Sequence, residues 1–198
     1  MKSFFGKIVC LLALPLIHSG CATSHPASTA TPPARSVSET FSPASQQDEG
    51  YALLYNLVSK EKNVSKLLII KRDSPQLKAI IQKVARDSKQ IAQELEALAK
   101  QNPPLNLKFA HLPLVEQKTR DLIEKEEGKG LLRTSDKPFE FKLLQSQIEG
   151  MNYGSHLAEA LLETETNAAR RAFLQRAQKT LAGLRDEIYQ MVLERYTR

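Results

Sequence analysis

Four stretches of this chain repeat apolar residues at helical spacing, and none alternates as a strand does. The first carries Leu54, Leu57, Val58, Val64 and Leu68, and the pattern predicts a helix that stops near Arg72. Asp73-Ser74-Pro75 announces the second, with a capping side chain followed by proline in the first turn. That helix carries Leu77, Ile80, Ile81, Val84, Ile91, Leu95 and Leu98 and ends before Asn102-Pro103-Pro104. Ser135-Asp136-Lys137-Pro138 opens the third, which carries Phe139, Leu143, Leu144, Met151, Leu157 and Leu161. After a turn rich in capping residues, Thr164 to Asn167, the fourth carries Phe173, Ala177, Leu181, Leu184, Ile188, Met191 and Val192.

One apolar stripe on each of four long helices predicts an all-α fold, a four-helix bundle. The connection from Asn102 to Lys137 sets the expected topology. A helix of about 25 residues is about 38 Å long. A short loop would force helices two and three antiparallel, whereas a connection this long can cross the bundle and let them run parallel. One long crossover is the ferritin-like arrangement. Within it, Leu114-Val115 to Leu122-Ile123 is an amphipathic piece that reads as a short helix.

The N-terminus follows a different logic. Lys2 and Lys7 flank a basic start, Ile8 to Ile17 is an apolar run, and His18-Ser19-Gly20 precedes Cys21. This is the pattern of a secretory leader, and the run is shorter than the about 20 residues a bilayer span requires. Ser19 and Gly20 before a cysteine resemble a lipobox, with His18 where Leu is usual. Residues 1–20 are thus expected to be a lipoprotein signal peptide and Cys21 the lipidated (palmitate-bearing) residue. Ala22, where Asp would favour inner-membrane retention, favours an outer-membrane anchor facing the periplasm in a Gram-negative cell. Residues 21–48 are rich in Ala, Ser, Thr and Pro and cannot bury enough surface to offset ordering entropy. They read as a disordered tether, and residues 49–198 as the helical domain.

The two cysteines agree with export. Cys10 lies in the leader, so a lipidated Cys21 leaves no thiol in the domain and no need for a disulfide. Losing Lys2 and Lys7 takes the formal net charge from +6 to +4. Export argues against nucleic acid as a partner. A mildly basic surface suits anionic lipid or cell-wall polymer, and solubility alone also explains it.

Local phrases add a resemblance. Val84-Ala85-Arg86-Asp87-Ser88 with Glu94-Leu95-Glu96-Ala97-Leu98-Ala99 is similar to the second helix of a ferritin-like domain of unknown function found in predicted bacterial outer-membrane proteins. Phe139-Glu140 with Gln147-Ile148-Glu149 is similar to that family's third helix, and the resemblance spans roughly residues 50 to 195. The family often carries Asp-His where this chain has Asp87-Ser88 and Glu149-Gly150. What the resemblance implies is a fold more than an activity.

Ferritin-like oxidases hold two metals with inward Glu and Glu-x-x-His side chains. Glu61 interrupts the stripe of Leu57, Val58 and Val64, and an inward carboxylate is costly unless it is paired or binds metal. Glu149 and His156, with Glu159 three residues later, share a helix face and complete a degenerate candidate site for iron, manganese or zinc. The competing reading is structural: Glu61 paired with Lys, Arg or Tyr, and His156 a hydrogen-bonded interior or boundary residue. Gly150 and Gly154 signal either close helix packing or a cleft that admits a ligand. Arg170, Arg171, Arg176, Lys179 and Arg185 form either a solvated face or a surface for lipid headgroups or an acidic partner. No nucleophile–base arrangement, phosphate loop, dinucleotide fingerprint or zinc spacing occurs. The expected protein is therefore a non-enzymatic envelope lipoprotein, without a cofactor, whose bundle binds or scaffolds. The alternative is a metal-binding ferritin-like protein.

Overall fold

The computed structural model describes residues 43–69, 74–108, 113–133 and 136–196. The expected leader, Cys21 and the tether as far as residue 42 lie outside them. The described chain is all-helical, with α1 at Pro43–Glu61, α2 at Pro75–Leu98, α3 at Leu114–Arg133, α4 at Asp136–Thr164 and α5 at Ala168–Tyr196. A 3-10 helix, Val64–Ile69, follows α1. None of these helices is long and apolar enough to cross a membrane.

Three expectations change. The first helix begins at Pro43, before the expected boundary at 49, and ends at Glu61 instead of near Arg72. The cause of the early end is a change of period. Val58, Glu61, Val64 and Leu67 are all buried and recur every three residues, the spacing that eclipses on a 3-10 helix. The amide of Asn63 bonds Lys60 O and that of Lys66 bonds Asn63 O, tightening the chain into that form.

The second change is the length of the crossover helix, the third of five α-helices among the described residues. The short amphipathic piece in the crossover is a full helix running on to Arg133. Three of its apolar residues, Leu114, Val115 and Leu122, do not turn inward and stand exposed. What α3 buries is Glu124 and Leu131, with Ile123 half-buried. Lastly, Leu157 is only half-buried, and Ala158 takes the core position beside it.

The other helices follow their stripes. Ser74 caps α2, its hydroxyl accepting from Leu77 N at 3.2 Å, and Pro75 takes the first turn, where its missing N–H costs nothing. Leu77, Ile80, Ile81, Val84, Ile91, Leu95 and Leu98 are all buried. Asn167 caps α5, its Oδ1 accepting from Arg170 N at 3.1 Å.

Cross-helix contacts fix the directions. Gly50 opposes Leu161, Leu57 opposes Gly154 and Glu61 opposes Gly150, so α1 and α4 are antiparallel. Ser74 meets Arg195, Lys83 meets Glu187 and Glu94 meets Arg176, so α2 and α5 are antiparallel. The edge-to-face pair Phe141–Tyr196 and the bond from Arg185 to Asn152 make α4 and α5 antiparallel as well. Packing joins α1 to α2 and α4, and α5 to α2 and α4, while α3 lies against α4. It follows that α2 and α4 point the same way, which the Asn102–Lys137 connection permits by returning the chain across the domain.

Candidate functional site

Glu61 occupies the last turn of α1 on its buried face, at 3% exposure. Burial pushes its carboxyl up to about 7, against a hydrogen bond from Gln147 and the nearby charge of Lys60. Its Oε2, and the Oε1 of the buried Gln147, find no hydrogen-bond partner among the described residues. Across from it stands Gly150, where a Cβ would sit 3.5 Å from Glu61 Oε1. Lys60, one residue away, turns outward to an ion pair with the buried Glu124 of α3. Glu61 is thus an inward carboxylate held by one amide.

The other two members of the expected set do not join it. Glu149 points toward α3 and accepts from Gln145 Nε2 at 3.2 Å. His156 is on the surface, not at the interior or boundary, with Nδ1 3.0 Å from Glu159 Oε2. Among the described residues, no group of three or more His, Cys, Asp or Glu is arranged to hold a metal ion. Ser88 and Gly150, the positions where the resembling family often has histidine, are both buried, and neither can supply an imidazole.

Between α3 and α4 lies a pocket of about 450 Å³. Ile123 and Leu131 give it an apolar wall, Glu126, Glu127 and Glu149 give it carboxylates, and Lys142 lines it as well. Burial, then the charges of Glu149 and Glu126, push the Glu127 carboxyl up to about 7. The neighbouring charges thus disfavour ionisation of Glu127, and a cation placed beside it would relieve that repulsion. Of these residues the sequence reading singled out only Glu149. Glu126 and Glu127 are ordinary helix residues until α3 is known to lean on α4.

A second buried polar cluster closes the far end of the domain. Glu165 accepts from Tyr51 Oη at 2.6 Å, from Gln47 Nε2 at 3.0 Å and from its neighbour Asn167 N at 2.8 Å. Burial, and then the bond to Glu165, raise the Tyr51 phenol above its ordinary value. Every acceptor and donor here is internal, so the cluster fastens α1 to the α4–α5 turn and has the character of a structural clasp.

The basic run on α5 does not form one face. At about 100° per residue its five members spread over an arc of about 240°. Arg170 is buried, contrary to the expectation of a surface role, and donates to Pro103 O. Arg171 donates to Leu162 O and Glu165 O, Arg176 pairs with Glu94, and Arg185 with Asp186 and Asn152. Lys179 is exposed. Four of the five are thereby committed to internal bonds. Gly154 is a point of close approach, where a Cβ would lie 2.6 Å from Leu57 Cδ2 and 2.9 Å from Leu181 Cδ1.

In comparisons with known proteins, no family model, no curated protein and no solved structure matches the chain.

Proposed function

We propose that this chain is an exported envelope lipoprotein, held at Cys21 to a membrane (the outer one in a Gram-negative cell), whose helical domain is a non-enzymatic binding module. We read the domain as ferritin-like, with α1, α2, α4 and α5 as its four long helices and α3 inside the crossover. The antiparallel pairings of α1 and α5 with both α2 and α4 support that topology. The observation that carries the binding role is the pocket between α3 and α4, of a size suited to a small molecule. Its chemistry, an apolar wall beside Glu126, Glu127 and Glu149, suits a ligand with an apolar body and a positive charge. Calorimetric titration with a short alkylamine such as hexylamine tests it. Saturable binding is expected that weakens below about pH 7, as Glu127 takes a proton, and disappears in Glu127→Gln/Glu149→Gln. No saturable heat would leave the domain as a scaffold and remove the ligand-binding role.

The unpartnered Glu61 Oε2 favours a second reading, a degenerate ferritin-like metal site. Metal analysis of protein purified without chelator decides between the two. Stoichiometric iron, manganese or zinc that is lost in Glu61→Ala would replace the first reading.

A further inference from the structure

Helix α3 turns Ile123, Glu127 and Leu131 toward the pocket against α4. Its opposite side has a composition of its own. Leu114, Val115 and Leu122 are 66%, 75% and 66% exposed. Lys118, Lys125, Lys129 and Arg133 are exposed as well. At about 100° per residue all seven positions fall in one arc of about 100°. No acidic residue lies inside that arc, and Asp121 and Glu126 stand just beyond its two edges. None of the four cations makes an ion pair within the described residues, whereas Arg120, on the inner side, pairs with Glu116. The α3 acids have gone to the side facing the bundle or to the arc's borders, leaving a purely cationic and apolar outer face.

We propose that this outer face of α3 docks on an anionic lipid bilayer surface. Charge complementarity selects an anionic partner. Shape selects a bilayer over an acidic protein, because the three apolar side chains stand out from a single convex helix and line no groove. A protein partner needs a matched concavity, but a bilayer moulds to any apolar ridge. Leucine and valine enter at the headgroup boundary while long lysine stems run beside them and keep their ammonium groups among the phosphates. The inference does not rest on the Cys21 anchor or on the pocket's ligand, and its test reads α3 alone.

The sequence contains no tryptophan, so Leu122→Trp in the full chain supplies one fluorophore on this face. Tyr189→Trp, at an exposed position on α5, is the control. The probes are vesicles of phosphatidylcholine alone and of an equal mixture with phosphatidylglycerol. With the anionic vesicles, Leu122→Trp emission should shift to the blue and be quenched by brominated acyl chains, while Tyr189→Trp should not respond. Adding Lys118→Glu, Lys125→Glu and Lys129→Glu should lower partitioning read at position 122 about 100-fold or more, three basic residues near a charged surface each contributing roughly fivefold. Leu114→Ser/Val115→Ser, which removes side chains that lie outside the core, should weaken it too and guards against misfolding of the charge-reversed variant. The proposal is overturned if the Leu122→Trp signal ignores anionic vesicles, or responds equally to phosphatidylcholine alone. A shift that grows with protein concentration in the absence of vesicles would also overturn it and assign the face to a second copy of the chain. So would unchanged partitioning in both sets of variants.

Discussion

Tyr51 donates its phenolic hydrogen to Glu165 across 2.6 Å, tying the first helix to the turn between the last two. Both residues are buried, at 0% and 3% exposure, so the bond has no water competing for it. Removing the hydroxyl leaves Glu165 with a backbone amide and the half-buried Gln47 as donors. Tyr51→Phe is expected to lower stability by about 1–3 kcal/mol, the cost of a charge-assisted bond with its acceptor left buried. Urea unfolding at neutral pH checks it.

The same bond has an alkaline signature. Because the folded Tyr51 phenol is raised above the ordinary value of 10.0, its contribution is complete below about pH 10. Above that pH the unfolded chain releases the phenolic proton while the folded chain keeps it, so stability falls. Tyr51→Phe, with no proton to release, should therefore lose less stability than the parent between about pH 9 and 11. An equal loss in the two proteins would show that the phenol titrates alike folded and unfolded.

Two glycines four residues apart on α4 should respond in opposite ways to alanine. At Gly154 a Cβ would press on Leu57 and Leu181, both fully buried. Overpacking there should cost about 1–3 kcal/mol. At Gly150 the nearest atoms would be at 3.5 and 3.7 Å, ordinary contact, so the gain in helix propensity of about 0.5–1 kcal/mol should prevail. Thermal melting of the two variants beside the parent resolves the signs.

Most of the fold was legible because the apolar stripes and caps of α2, α4 and α5 agree with one another. Ser74-Pro75 marked the start of α2 to the residue. The end of α1 was missed because Glu61, Val64 and Leu67 fit a helical stripe almost as well as a three-residue one, and tertiary burial decided between them. The length of α3 was hidden for a different reason. Leu114, Val115 and Leu122 point outward, and after Ile123 the next inward apolar residue is Leu131, eight positions on, so no continuous stripe announced it. Glu61 was legible as an intruder on an apolar face. Its isolation from Glu149 and His156 was not, since residues seven apart on α4 share a side of the helix without sharing a neighbour. The Glu165 clasp required knowing that the α4–α5 turn folds back onto Tyr51.

Membrane attachment should show two separable components. If Cys21 carries the lipid, Cys21→Ser should abolish attachment that survives high salt. If α3 also docks, the Cys21→Ser protein should still sediment with membranes at low ionic strength and be released by salt, because surface charge attraction is screened beyond a Debye length of about 3 Å at 1 M. A Cys21→Ser protein that remains bound after a molar salt wash would refute the lipid anchor. Deleting residues 26–40, ahead of α1, should leave unfolding unchanged.

Glu61 makes the most discriminating prediction, because its protonation and its partners pull in opposite directions. The folded carboxyl titrates at about 7 against an ordinary 4.5, chiefly because burial penalises the anion. Between those two values the folded protein holds a proton that the unfolded chain has released, so stability falls as pH rises through this window and stays lower above it. The shift corresponds to a loss of about 3 kcal/mol between about pH 4.5 and 7. Lys60 is the charge that favours the anion, but it is engaged with Glu124 on the outer side. Gln147 supplies a single amide, and Glu61 Oε2 finds no partner among the described residues. Glu61→Gln keeps the shape, removes the titration and lets the two amides bond each other. It should match the parent near pH 4.5 and exceed it by about 3 kcal/mol at about pH 8. Glu61→Leu should gain less, since it also removes the hydrogen-bond partner of the buried Gln147. Comparing variant with parent at each pH cancels Glu127 and every other shared group. If Glu61 instead holds a cation, both variants should fall below the parent by about 3–5 kcal/mol, as when a buried pair is broken, and added divalent metal should raise the parent's urea midpoint alone.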